Sequence, residues 1–190
     1  RAAALLWAAV ALLAALLVPM LAILGLFTLI DLRTLDAAFW LRGPQTPSPE
    51  ILIIAIDDES FRQTGLQWPW PRAYLAEIVN GIAAGDPSVI VLDIFLYEPS
   101  SDPEGDAALT QAIANAGNVV LANNLLHEVR LDLGAETELY NQPIEPFNQA
   151  AMSLGLANIE LDSDGFARRS PFFVVRHYDG LAYFSWPVVA

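Results

Sequence analysis

The 190-residue chain contains no cysteine, and it contains no lysine, because every basic residue is an arginine. Without cysteine, disulfide frameworks and thiolate metal sites are excluded. The nine basic residues stand against 22 acidic ones, which gives a net charge of −13. So acidic a chain repels the phosphate backbone of nucleic acids. We therefore expect no nucleic-acid partner.

The common signatures of catalysis are also missing. The sequence has no Walker loop, no G-x-S-x-G elbow and no H-E-x-x-H pair. Its two histidines, His127 and His177, stand alone without the spacing of metal ligands, so we expect both at the surface. Nothing here requires an enzyme, and we expect no cofactor in this domain.

Charged residues are absent from Ala2 to Ile30, "AAALLWAAVALLAALLVPMLAILGLFTLI". About 20 apolar residues suffice to cross a bilayer, and this run is too long for the core of a signal peptide. It predicts a transmembrane helix over residues 1–30, with the lipid bilayer as a partner. The residues beyond it carry eight arginines and all 22 acidic residues, a net charge of −14. This asymmetry favours a bacterial inner membrane with the acidic domain on its periplasmic or extracellular side.

Residues 31–49 predict a juxtamembrane helix and a linker. Leu32, Leu35 and Phe39 can continue a helix for about three turns, and Gly43 and Pro44 then end it. Residues 50–190 predict a separate α/β domain.

The first part of that domain alternates strands and helices. Residues 51–57, 89–94 and 119–123 are apolar and rich in β-branched side chains, which is typical of strands buried on both faces of a parallel sheet. Amphipathic segments lie between them, with Asp106 as the expected N-cap of the second helix. The order predicts a β-α-β-α-β parallel core with right-handed crossovers.

The second part of the domain predicts antiparallel structure. A long loop and a short helix are expected after the third strand. Three short strands joined by "DSDG" and "HYDG" then follow, because Asp-Gly is a strong hairpin signal. We expect these strands to extend the sheet and a further helix to begin near Trp186. The fold class is thus a mixed α/β sheet preceded by one transmembrane helix.

The stretch "GLQWPWPRAYL", from Gly65 to Leu75, leads from the first predicted strand into the first helix. Each proline favours extended geometry at the tryptophan before it, so the stretch is stiff. Arg72 lies in the first helical turn, where a cation opposes the helix dipole. We expect an acidic partner for it among Asp57, Asp58 and Asp93.

Two interpretations of the acidic residues remain open. In the structural one, Asp93 is shielded from water and accepts hydrogen bonds from loop N–H groups or from Arg72, because an unpaired buried carboxylate is costly. In the functional one, Asp57, Asp58, Asp93 and Glu98 line a pocket for a cation or a polar ligand at the carboxyl ends of the strands, together with Trp70 and Arg72. "DSDG" is expected to be a turn and not a calcium loop. Of Arg168 and Arg169, one is expected to pair internally.

Several segments together resemble a known family: "IAIDDESF", "WPWPRAYLAEIV", "VIVLDIFLYEPSSDPEGDAAL", "NVVLAN" and "DGFARRSPFFV". They are similar to the second class of CHASE, the cyclase/histidine-kinase-associated sensory extracellular domain. The resemblance extends from about Asp31 to the C-terminus.

The resemblance implies a sensory input domain outside the bacterial membrane. Such domains are usually followed by further spanning helices and then by an adenylate or guanylate cyclase or a kinase, and none of these parts lies within the 190 residues. The resemblance leaves the stimulus open. We expect a second copy of the chain and an unknown small-molecule or ion stimulus as partners, and a bound cation would fit the acidic cluster. Two other functions stay open: a membrane-tethered metal-dependent enzyme using Asp57, Asp58 and Asp93, and a structural dimerisation module without a ligand.

Overall fold

The computed structural model describes residues 2–23, 25, 27–130, 135–176 and 180–189. The chain divides into two compact units, residues 1–56 and residues 57–190. The boundary predicted from the sequence lay a few residues earlier, at the end of the proline-rich linker.

The first unit consists of two helices, α1 (Ala2–Ile23) and α2 (Thr28–Arg42). The window Leu6–Ile23 has a mean hydropathy of 2.5 and contains no buried residue, so α1 is long and apolar enough to cross a membrane. The predicted single helix over residues 1–30 is divided, because Gly25 adopts a left-handed φ of 71°. The second helix ends at Gly43, as the sequence predicts.

The predicted first strand is wrong. No strand of the described part includes residues 51–57, and Ile51, Leu52, Ile53 and Ile54 expose 70%, 83%, 85% and 55% of their surface. An apolar β-branched run supplies side chains suited to a sheet, but a strand also needs a neighbouring backbone to pair with. That neighbour is a tertiary property, which the run itself does not encode.

The second unit is a mixed α/β fold. Its elements, in chain order, are α3 (Asp58–Thr64), α4 (Arg72–Ala83), β1 (Ile90–Leu92), α5 (Pro103–Ala116), β2 (Val119–Arg130), β3 (Ala135–Asn141), α6 (Glu145–Ala150), β4 (Ser153–Leu156), β5 (Phe173–Val175), β6 (Ala182–Phe184) and α7 (Trp186–Val189). The first half of β2 lies between β1 and β4 and is parallel to both, and β3 pairs antiparallel with its second half. The predicted parallel pairing of 89–94 with 119–123 is confirmed as β1 and β2. The third parallel strand is β4 and not the predicted strand 51–57.

The core of the second unit lies between β2 and the helices α4 and α5. Val119, Val120 and Leu121 are fully buried, and so are Leu109 and Ile113 on α5. Leu75, Ala76 and Val79 form the buried face of α4. Gly105 lets α4 and α5 approach closely, because a Cβ at this position would lie 3.2 Å from the backbone nitrogen of Ala73.

Five details differ from the sequence-based expectation. The expected long loop after the third strand contains β3, whose polar side chains suit a strand with an exposed face. The N-cap of α5 is Asp102, and Asp106 lies inside the helix. Strand β4 is parallel to β2, and β5 and β6 form a separate two-stranded sheet instead of extending the main one. The helix α3 was not foreseen, although Asp57 and Ser60 have the spacing of a capping box.

The turn at "DSDG" is confirmed, since the Gly165 N–H donates to the Asp162 carbonyl. The hairpin predicted there is wrong, because β4 and β5, the strands on its two sides, belong to different sheets. The hairpin predicted around "HYDG" is present as β5 and β6, and helix α7 begins at Trp186. His177 lies outside the described residues, as does the side chain of His127.

Candidate functional site

The tryptophan-proline stretch forms an aromatic anchor for α4. Trp70 is only 4% exposed, and its ring makes edge contacts with Phe61 at 5.7 Å and with Tyr74 at 5.3 Å. These rings belong to α3, to the approach to α4 and to α4 itself. Trp70 therefore holds the beginning of α4 against α3, while Trp68 stays half-exposed.

The acidic partner of Arg72 is Asp106. The Nε atom of Arg72 lies 3.7 Å from Asp106 Oδ1, and both side chains are largely buried. The other carboxylate oxygen of Asp106 accepts a hydrogen bond of 2.9 Å from the Ser100 backbone N–H. Burial lowers the pKa of Arg72, and the charge of Asp106 opposes that shift. Asp106 thus takes the part that the sequence assigned to Asp57, Asp58 or Asp93, because the packing of α5 on α4 brings it there.

The structure does not gather the four predicted acidic residues. Asp57 caps α3, where its Oδ1 accepts a hydrogen bond of 3.0 Å from the Ser60 N–H, and this bond lowers the pKa of Asp57. Asp58 and Glu98 are exposed. Within the described residues, no three histidine, cysteine or acidic side chains are placed to hold a metal ion. Nothing in this part of the chain supports the metal-dependent enzyme.

Asp93 is exposed and not shielded as the sequence predicted. Strand β1 ends at Leu92, and the alternation that buries Ile94 and Leu96 turns Asp93 and Phe95 outward. Partial burial nevertheless raises the pKa of Asp93.

Arg168 confirms the expectation that one arginine of the pair has internal partners. Its guanidinium is 7% exposed, and it lies 3.0 Å from Asp162 and 2.7 Å from Asp164. A second nitrogen bonds Asp164 at 2.8 Å, so the contact with Asp164 is bidentate. Arg168 therefore closes the "DSDG" turn, and Arg169 beside it is exposed.

A polar site does lie at the carboxyl ends of the parallel strands, but most of its residues were not predicted. We call it the tyrosine cluster; it consists of Asp93, Tyr97, Asn123, Tyr140, Arg176 and Tyr183. Asn123 ends the parallel part of β2, and its Nδ2 donates a hydrogen bond of 2.8 Å to the Tyr140 hydroxyl on β3. The rings of Tyr140 and Tyr183 lie 4.4 Å apart. Residues of β2, β3 and β6 therefore meet at one site.

Two tyrosines of the tyrosine cluster contact Arg176, and two have raised pKa values. Arg176 lies over the rings of Tyr140 and Tyr183, with its Cζ 5.5 Å and 5.4 Å from their centres. Burial raises the pKa of Tyr97, and the negative charge of Asp93 and the neighbouring Tyr140 raise it further. Burial also raises the pKa of Tyr140, against the opposing effects of Asn123 and Arg176.

Only Asp93 of the tyrosine cluster was a predicted site residue. The tyrosines come from β3 and β6 and from the loop after β1, so their proximity depends on the β2–β3 hairpin and on the placement of β6. The available signal was the position of Asn123 and Asp93 after two parallel strands, where α/β sheets bind ligands.

The chain is thus a mixed α/β domain preceded by a helix long enough to cross a membrane. The family model described as CHASE2 domain matches residues 9–190, and the chain belongs to this family. CHASE2 domains are extracellular sensory domains of signalling proteins. No curated protein and no solved structure matches the chain.

Proposed function

We propose that this chain is the extracytoplasmic input domain of a bacterial transmembrane signalling protein, whose output is a cytoplasmic adenylate or guanylate cyclase or a kinase. The observation that carries this proposal is the CHASE2 match over residues 9–190, which includes most of the apolar helix α1 and the whole α/β unit. In this proposal α1 crosses the bacterial inner membrane, and the acidic unit lies on the periplasmic or extracellular side.

The output is tested with the parent protein in membrane vesicles. Cyclic nucleotide formation from ATP and GTP and phosphoryl transfer from ATP are measured with and without residues 57–189. We expect one of these activities, and we expect its rate to change when the α/β unit is removed. A parent protein without either activity would contradict the proposed output, and an unchanged rate would contradict the sensory role.

Transmission through a homodimer is part of this proposal, and the outer face of the β5–β6 sheet supports it. Phe173 and Phe184 pair across this face and expose 52% and 48% of their surface. Val175 and Ala182, which pair beside them on the same face, are exposed as well. Since a phenylalanine presents on the order of 200 Å², these two half-exposed rings offer roughly 200 Å² on each copy. A specific interface buries on the order of 1,000 Å² in total, so this face would be the apolar centre of a larger contact.

A second copy suits this face because a membrane anchor keeps the copies in one orientation and raises their local concentration. Phe173→Glu is expected to reduce the dimer fraction of the chain in detergent, measured by light scattering. Met152→Glu, at a similarly exposed apolar residue outside this sheet, is the control and should change little. Equal dimer fractions in both variants would exclude this face as the interface.

A further inference from the structure

Helix α2 carries a stripe of uncharged side chains with the spacing of a coiled coil. The stripe consists of Phe27, Ile30, Thr34, Ala37 and Leu41, which follow one another at intervals of three, four, three and four residues. Phe27 precedes the helix with helical dihedral angles, φ −84° and ψ −15°, so all five residues lie on one face. We call this face the heptad stripe. Such a repeat is typical of a helix that packs lengthwise against another helix.

The heptad stripe is open to solvent along its length. Phe27, Ile30 and Leu41 expose 36%, 59% and 77% of their surface, and Thr34 and Ala37 are exposed as well. A shallow groove runs along Ile30, Thr34 and Ala37, and in a coiled coil such a groove receives side chains of the facing helix. The Thr34 hydroxyl donates to the Ile30 carbonyl at 2.8 Å, so it keeps a partner when the stripe is buried.

The opposite face of α2 is already covered by the chain itself. Leu32 is only 4% exposed, and Leu35 and Asp36 are half-buried. Packing within one copy therefore uses this other face of the helix. The heptad stripe remains for a second molecule.

The occupant that fits the heptad stripe is the same stripe of a second copy. Helix α2 begins at Thr28, close behind the end of α1 at Ile23. Two copies anchored by α1 therefore start their α2 helices at the same level, where identical residues of a parallel pair meet. In such a pair, the side of Asp31 on one helix meets the side of Arg33 on the other. Charges of opposite sign then lie along both edges of the contact.

We propose that α2 pairs with α2 of a second copy through the heptad stripe, as a short parallel coiled coil. The inference rests on the proposed placement of α1 in the membrane. Residues 27–41 span only about two heptads, whereas a free coiled coil is specified by about three to four. The membrane anchor compensates for this short length, because it raises the local concentration of the copies.

The lack of cysteine allows single cysteines to locate the contact. The whole chain is oxidised with copper phenanthroline in bacterial inner membranes, and the disulfide-linked dimer is measured on non-reducing gels. A disulfide requires the two Cβ atoms to lie within about 4.5 Å, so Ile30→Cys, Ala37→Cys and Leu41→Cys should each give at least about fivefold more dimer than the controls. The controls are Phe39→Cys and Arg42→Cys, at exposed residues of α2 outside the stripe.

Three results of this experiment would overturn the inference. Equal yields at all five positions would indicate random collisions in the membrane. No dimer at any position, or more dimer at the two controls, would exclude the heptad stripe. Dimer at Ala37→Cys but at neither Ile30→Cys nor Leu41→Cys would indicate antiparallel helices, because only a parallel pair brings identical residues together along its whole length.

A charge in the heptad stripe provides a second test. In the Ala37→Cys chain, Leu41→Glu should lower the dimer yield at least about fivefold, because it places two like charges at the same level of the pair. Phe39→Glu is the matched control: it adds the same charge on the same turn of α2 but outside the stripe, and the yield should stay the same. Equal yields in the two variants would contradict pairing through the stripe.

The parent protein separates this inference from the proposed function. Preferential cross-linking of the heptad stripe in a parent protein whose output does not depend on residues 57–189 would refute the sensory role and leave the pairing intact. An output that depends on residues 57–189, without preferential cross-linking of the stripe, would refute this inference alone.

Discussion

Asn158 continues the pairing of β4 with β2 through its side chain. The Leu125 N–H donates to Asn158 Oδ1 at 2.8 Å, and Asn158 Nδ2 donates to the Leu125 carbonyl at 2.7 Å. Both polar groups of a buried backbone segment are thus satisfied by one amide. This contact lies directly after Asn123, so it fixes β2 where the tyrosine cluster begins.

Replacing Asn158 by alanine is expected to lower the free energy of unfolding by about 1–3 kcal/mol, because it leaves the N–H and C=O of Leu125 without partners. The measurement is urea unfolding of the chain in detergent. Asn115→Ala is the control: Asn115 is exposed on α5, where it accepts a hydrogen bond from Gln111, and the change there should stay within about 0.5 kcal/mol. Equal losses in the two variants would show that the amide of Asn158 contributes nothing specific.

The Arg168 turn gives the domain a pH-dependent contact. Hydrogen bonds from Arg168 lower the pKa of Asp164 below its ordinary value of 3.8. A carboxyl whose pKa is lower in the folded state stabilises that state above its ordinary pKa, and this contribution is lost as the pH falls through the lower, folded value.

A carboxyl-carbon NMR titration of Asp164 should therefore show a pKa below 3.8. In the Arg168→Ala variant the pKa should return towards this ordinary value, because the hydrogen bonds that favour the carboxylate are gone. A titration that is the same with and without Arg168 would contradict this assignment.

Residue types were predictable from the sequence, but their partners were not. The sequence predicts that Arg72 needs an acidic partner. It also predicts that a carboxylate accepts a hydrogen bond from a loop N–H group. Both roles are filled by Asp106, one turn inside α5. Asp106 reaches Arg72 because Gly105 allows α5 to approach α4, and no local pattern specifies that approach.

Gly155 on β4 sets the position of α7. A Cβ at this residue would lie 2.9 Å from the Cα of Trp186 and 3.0 Å from a methyl group of Val189. The strand and the helix are therefore in direct backbone contact. Because packed protein interiors have low compressibility, a small movement of β4 would displace α7 directly.

Gly155→Ala is expected to displace α7 and to cost about 1–3 kcal/mol, because the added methyl group overpacks the contact. Urea unfolding measures the loss, and in the parent protein we expect a weaker response to the stimulus. Gly81→Ala is the matched control: it lies in α4 with open space around it, where alanine should be neutral or stabilising by up to about 1 kcal/mol. Gly155→Ala behaving like Gly81→Ala would show that α7 adapts freely.

The lack of cysteine makes the topology of the whole molecule directly testable. Ser163 is exposed in the "DSDG" turn, and Leu13 lies in the middle of α1. If α1 crosses the membrane and the acidic unit lies outside, Ser163→Cys should react with a membrane-impermeant maleimide in intact spheroplasts, and Leu13→Cys should not. Labelling of Ser163→Cys only after lysis would place the acidic unit in the cytoplasm.

The sequence by itself determined the properties that depend on composition and local pattern. The charge-free run predicts a helix of membrane-spanning length, and the β-branched runs at 89–94 and 119–123 with an amphipathic helix between them predict parallel strands. The end of α2 at Gly43 and the "DSDG" turn follow from residue types that favour one backbone conformation. These signals act over a few residues, so they need no information about distant parts of the chain.

The tertiary structure decided which segments pair and which side chains meet. Residues 51–57 have the side chains of a buried strand and yet form none, whereas the polar residues of β3 pair with β2. The tyrosine cluster joins residues of β2, β3 and β6, and its members have no common spacing in the sequence. Strand pairing and side-chain contacts across elements are set by the packing of the whole unit, because a backbone hydrogen bond can be made with any neighbour that packing brings within reach.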